Sequence, residues 1–226
     1  MSAELWDEAT FLEKLREVGG NAYHDKHPFH VAMHAGELSE GAIRAWVENR
    51  YYYQTRIPIK DAIILSKSED RAFRRAWIRR IHDHDDEGGG LDQWDKLSAG
   101  VGLDVDDVRS LRAVLPAVRF ACDAYVSFVR EKPLLECVAS SLTEFFAPDI
   151  MRTRVLAWEK HYPFVDRGVL DYFRARPEKA TRDSGEALAY VRAHAKTRER
   201  EDACVRALEI KCEILWAMLD AIAAHA

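Results

Sequence analysis

Apolar residues recur along this chain every three or four positions, the period of a helix with one buried face. The pattern predicts a helix over 39–56, started by Ser39, with Ile43, Trp46, Val47, Tyr53 and Ile57 on its stripe. Pro58, of a type common in a first helical turn, opens the next over 58–67. Asp70 starts a third over 70–84, with Phe73, Trp77 and Ile81 on one face, and the glycines at 88–90 end it. Short helices follow at 91–100 and 104–112. Pro116 begins one that reaches Val129; Lys132 and Pro133 break it, and another runs to about Phe146. Residues 149–160 are helical, 166–175 form a short segment, and 177–194 and 197–223 complete the set. Strand-like alternation is nearly absent, and there is no internal repeat or long Gly/Ser linker. The expectation is one all-α domain over 1–226, with about seven main helices packed as a bundle.

Several polar residues fall on these apolar stripes, where a charge is costly unless something pairs with it. Lys211 sits between Leu208 and Leu215 in the last helix. Arg50 lies on the stripe from Val47 to Tyr53, Gln54 and Ile57. The face through Phe73, Trp77 and Ile81 continues to His84, with Arg80 alongside. Tyr125 follows Val118 and Cys122, and Glu144 follows Cys137 and Ser141. One inward Arg or Lys is usually a structural ion pair or a side chain that snorkels to water. Several on different helices suggest a closed pocket of Arg, Lys, His, Tyr and Glu, suited to a small poly-anionic ligand.

Composition narrows the partners. Of 226 residues, 48% are hydrophobic, enough for one sizeable core. Basic residues number 33 against 38 acidic, a net charge of -5, so nucleic acid is not the expected partner. No apolar run approaches the ~18 residues of a membrane span, and the charged first residues show no secretory segment. The four cysteines form no Cys-x-x-Cys pair. A cytoplasmic protein with reduced thiols is expected.

Other motifs carry less. His27, His30 and His34 lie in HPFHVAMH, and the i, i+4 pair has metal-ligand spacing, but no acidic residue lies between them. No histidine has Glu three residues before it, which sets aside a carboxylate di-iron bundle. The run Arg71, Arg74, Arg75, Arg79 is a solvated face. Phosphate-loop and hydrolase-elbow motifs are missing, and no bound metal is expected.

The stretches YHDKHPFHVAMHAGELS, WVENRYYYQTRIPIKDAIIL, RRAWIRRIHDHD, LPAVRFACDAYVSF, SSLTEFFAP, HYPFVD, DYFRAR and ALEIKCEILWAMLDA are specific in order and spacing. With them the chain resembles the PqqC family, the pyrroloquinoline quinone synthases, over nearly its whole length. The resemblance implies a heme-oxygenase-like helical bundle acting as a homodimer. It implies ring closure and oxidation of a bicyclic, poly-carboxylate quinol, with no metal or organic cofactor. Molecular oxygen is the co-substrate, pyrroloquinoline quinone the product, and hydrogen peroxide is released. It places Tyr23, His24, Arg50, Gln54, Lys60, Arg80, Tyr125, Thr143 and Glu144 around the substrate. His84 would move protons, Tyr172 and Arg176 would lie near the oxygen site, and Lys211 matches the inward lysine of the last helix.

One position departs from the family pattern. Met151 stands where the oxygen-site His is expected, although Arg154, three residues on, is kept. A thioether neither donates a strong hydrogen bond nor carries a proton. The chain is then either a synthase with a modified oxygen pocket or a paralogue that performs part of the reaction on this or a related substrate. A quinone-binding carrier fits the same pocket. A thiaminase-type hydrolase would want a nucleophilic Cys, whereas Cys122 and Cys137 lie on apolar faces and read as core. The loop DDEGGG after His84 is short against the family's and bears on how the site closes.

Overall fold

Helix starts fall where short polar side chains can accept a free backbone N–H. In the computed structural model, which describes residues 4–226, Asp7 caps α1 (Glu8–Ala22) and His27 caps α2 (Pro28–Ala35). Ser39 caps α3 (Glu40–Ser66) and Asp70 caps α4 (Arg71–Trp77). Then come α5 (Arg79–Asp85), α6 (Gly90–Gly100), α7 (Val105–Ser110), α8 (Pro116–Glu131) and α9 (Leu134–Ser140). Three long helices end the chain: α10 (Ala147–His161), α11 (Asp171–His194) and α12 (Arg198–Ala223). Short 3-10 turns at His24–Lys26, Ser141–Phe145 and Arg167–Leu170 join them. No strand occurs among the described residues. The seven helices of eleven residues or more are α1, α3, α6, α8, α10, α11 and α12, in line with the expected bundle.

Boundaries moved where packing outweighs local preference. Pro58 does not begin a helix but lies inside α3, and Pro177 lies inside α11. Neither proline has an N–H, so the carbonyls of Gln54 and Phe173 lose their ladder bonds. Both helices continue because they are held along their length: α3 by α5, α6, α8 and α12, and α11 by α6, α9 and α10. The expected 70–84 helix divides at Ile78 into α4 and α5. The segment expected to run to Phe146 tightens into a 3-10 turn after Ser140. α1 lies outside the elements read from the sequence; it packs on α12, and its buried residues include Phe11, Leu15 and Val18.

The core centres on Trp46 of α3, which has no solvent exposure. Trp94, Trp158 and Phe173 surround it at ring separations of 5.6, 5.8 and 6.3 Å. Each such buried ring contributes roughly 1.5–3 kcal/mol by leaving water. Gly36 ends α2 with φ at 79°, and a Cβ there would collide with the His161 ring, so α2 and α10 meet closely because the residue is glycine. No described helix is long and apolar enough to cross a membrane.

Candidate functional site

Arg50, Tyr53, Ile57, Lys60 and Asp61 recur at helical spacing on one side of α3. That face is polar yet turned inward, and it forms one wall of two adjoining cavities. The first lies against α5, α8 and α12, where Arg80, His84, Tyr125 and Lys211 complete it. The second lies against the 23–24 segment and α10, where Tyr23, His24, Met151 and Tyr172 complete it. Tyr53, Ile57, Thr143, Glu144 and Arg176 line both, so they are the partition between them. The cavity volumes are about 20 and 40 Å³, room for a few water molecules at most. Neither space as it stands holds a bicyclic ligand.

Of the thirteen site residues expected from the sequence, all but Gln54 line a cavity. Gln54 stands behind the wall and accepts a hydrogen bond from the Tyr172 hydroxyl at 3.0 Å. All but Glu144 and Arg176 are buried. Asp61, Asp83 and Asp183 also line the first cavity and escape the sequence reading. A signal was present for two of them. Asp61 is one turn from Ile57 and Ile64, and Asp183 shares its face with Ala180, Ala187 and Val191.

Three of the cavity cations are already paired. Lys60 donates to Asp61 at 2.6 Å, and Arg176 to Glu144 at 2.7 Å. Arg80 donates to the Asp183 carbonyl at 2.6 Å and lies 4.0 Å over the Trp77 ring. Two others are not. Arg50 meets the Met218 sulfur at 3.7 Å and the Tyr53 ring at 4.3 Å, and neither is an anion. Lys211 donates to the Tyr53 hydroxyl at 2.9 Å and lies 3.4 Å over the Tyr125 ring. Burial, together with nearby Lys60 and Arg50, lowers the pKa of the Lys211 amine well below that of an ordinary lysine. An anion brought into the cavity would reverse that effect.

His84 stands out by its unsatisfied ring. Both ring nitrogens are sealed from solvent, and among the described residues neither meets a partner at good hydrogen-bond geometry; the backbone of Arg80, one turn back, acts on the ring only weakly. Burial first, then the charges of Arg176 and Lys60, push its pKa down to about 3, so the imidazole is neutral at pH 7. Gly90 packs on this ring: a Cβ there would lie 3.0 Å from His84 Cδ2. The short glycine loop thus fits closely over the imidazole. Burial opposes the charge on Glu144, but Arg176, Arg80 and Lys60 outweigh it and hold the carboxyl below its usual range.

No cysteine lines either cavity. Burial raises the thiols of Cys122 and Cys137 to about 12 and about 11, away from nucleophilic thiolate. Both rings of the His30 and His34 pair are present, stacked at 6.0 Å, but the two nitrogens of His30 are engaged elsewhere. Among the described residues no cluster of three or more His, Cys, Asp or Glu could hold a metal ion.

Residues 12–221 match the TENA/THI-4/PQQC family. The chain is 54% identical over 219 residues to the pyrroloquinoline-quinone synthase of Rhizobium meliloti, covering 96% of this chain and 86% of that one. It is 51% identical over 212 residues to the enzyme of the same name from Ruegeria pomeroyi, covering 92% and 88%. Among solved structures, a TenA homologue from Pseudomonas syringae pv. tomato superposes with a TM-score of 0.78 at 13% identity, covering 99% and 98%. A Shewanella denitrificans domain with a heme oxygenase-like fold superposes with a TM-score of 0.75 at 15% identity, covering 96% and 90%. These structural likenesses identify the fold as heme-oxygenase-like.

Proposed function

The chain belongs to the TENA/THI-4/PQQC family, and on that premise we propose that it completes the biosynthesis of pyrroloquinoline quinone. The reading is of a cofactorless oxidase, acting as a homodimer, that closes a ring in a poly-carboxylate quinol precursor. It then passes two electrons and two protons from the quinol to molecular oxygen, leaving the quinone and hydrogen peroxide. The observation that carries this reading is the neutral, buried His84 in the first cavity with Lys211, beside Arg50 in the adjoining one, two cations that meet no carboxylate among the described residues. Relatives about half identical over nearly the whole chain support it.

The residues suit the steps. Arg50 and Lys211 are free to take ligand carboxylates; Lys60, Arg80 and Arg176 must share or exchange theirs. A neutral imidazole can accept a proton from carbon beside a carbonyl. Carboxylates bound nearby favour the imidazolium, so the ligand itself strengthens the base that acts on it. Guanidinium and ammonium groups then stabilise the enolate or quinolate as its charge grows. Tyr125, Thr143 and Tyr23 supply hydroxyl groups along the walls.

A second reading rests on Met151, which lines the second cavity with Tyr172 and Arg176 and brings only a thioether to it. In that reading the protein closes the ring but oxidises slowly, or carries the quinone onward. One experiment separates the readings. The protein is mixed anaerobically with the ring-open precursor, and absorbance is followed; oxygen is then admitted and peroxide measured. A spectral change at both stages is expected. A change only before oxygen selects the partial reaction, and none at either stage rejects the enzyme.

A further inference from the structure

The histidines of HPFHVAMH have a use that is not metal binding. Arg154 is buried, with its guanidinium over the rings of Trp46 at 4.8 Å and Phe173 at 5.4 Å. No carboxylate pairs with it among the described residues. Its Nη2 lies 3.3 Å from His30 Nε2. A guanidinium has donors only, so that ring nitrogen must present its lone pair. The proton of neutral His30 is then on Nδ1. Nδ1 lies 2.9 Å from the His24 carbonyl oxygen and 3.0 Å from His24 Nδ1. The one hydrogen of His30 Nδ1 lies between these two acceptors, and a second N–H on His24 Nδ1 would face it at 3.0 Å, so His24 Nδ1 carries none. The proton of His24 is therefore on Nε2, which bonds nothing else in the described protein, and His24 lines the second cavity.

Charge state agrees with geometry. Burial lowers the pKa of both imidazoles well below 6.5, and the cations facing them act in the same direction: Arg154 and Arg50 on both rings, and Lys211 on His24. His27 and His34 flank the pair. Arg154 itself is lowered to about 9 by burial and by Arg50, so it stays cationic at neutral pH.

We propose that Arg154 and His30 are positioning residues that fix His24 as an Nε2–H tautomer, giving the second cavity a neutral hydrogen-bond donor for an electron-rich oxygen of the ligand. Such a donor lies in the cavity where Met151 provides none. The tautomer follows from the ligand-free geometry; its use on a quinolate or reduced-oxygen atom rests on the proposed function. Neutral donors that point at developing negative charge cost no reorganisation when the charge appears.

The test is nitrogen NMR of histidine-labelled, ligand-free protein between pH 6 and 8. A single Nε2–H tautomer is expected for His24. An Nδ1–H tautomer, a mixture or an imidazolium overturns the proposal, and this result does not depend on turnover. In Arg154→Leu and His30→Leu the His24 tautomers should mix, and kcat should fall roughly ten- to a hundredfold with little change in KM. Arg154→Gln, which can still donate to His30, should restore the single tautomer. If the leucine variants keep the parent tautomer, Arg154 and His30 do not set it.

Discussion

Arg176 donates to Glu144 at 2.7 Å, and both side chains are walls of both cavities. A ligand that spans the two spaces must part this pair or share it. Glu144→Gln weakens the competitor for Arg176 while keeping its shape. Binding of pyrroloquinoline quinone should tighten by roughly three- to tenfold, about 0.7–1.4 kcal/mol, as read by fluorescence titration. Weaker binding would mean that Glu144 touches the ligand as an acceptor and is not its rival.

The His84 imidazole should show its burial in two pH profiles. Unfolded, it titrates near 6.5; folded, at about 3. Between those values the unfolded chain binds the additional proton, so this contribution is complete above 6.5 and is lost as pH falls toward 3. His84→Leu should flatten the acid side of a stability curve measured by urea unfolding, though His24 and His30 keep part of the slope.

Turnover should show the reverse displacement. The acid limb of kcat/KM reports the free protein, where His84 is a weak base; that of kcat reports the complex, where bound carboxylates raise it. The kcat limb is therefore expected at higher pH. Coincident limbs in steady-state oxygen uptake would remove His84 as the base.

Lys211→Met deletes a buried amine that has no carboxylate to leave stranded. Thermal stability should hold or rise, since a desolvated amine gives way to an apolar chain of similar length. Ligand binding should weaken by at least about tenfold through loss of one charge-assisted contact. Calorimetry reads both, and unchanged affinity would place the carboxylates elsewhere.

Met151→His should raise the rate of oxygen consumption roughly tenfold, and Met151→Leu should leave it as it is. An oxygen electrode with reduced quinol gives both rates. Equal rates for all three proteins would show that the thioether position takes no part in the oxidative steps.

Periodicity was enough to find Arg50, Lys211 and the Arg80–His84 face, because a charge on an apolar stripe needs no partner to be conspicuous. Family resemblance added Tyr23, His24, Thr143, Tyr172 and Arg176. Asp61 and Asp183 passed unnoticed because short acids beside a basic neighbour, Lys60 or Arg182, look like surface pairs. Pro58 and Pro177 read as boundaries because local rules do not know which helices will be clamped from outside. The tautomer of His24 was out of reach, since it is set by Arg154 from 130 positions away along the chain.

The two prolines have a mechanical meaning. Each directly follows a residue of the partition: Pro58 comes after Ile57, and Pro177 after Arg176. The missing rungs of α3 and α11 therefore lie beside the wall that a large ligand has to displace. At those two points the helix has one ladder bond fewer to hold its backbone. The aromatic core keeps its full complement of packing, while the backbone beside the two small spaces that must become one is held by neighbouring helices instead of by its own rung.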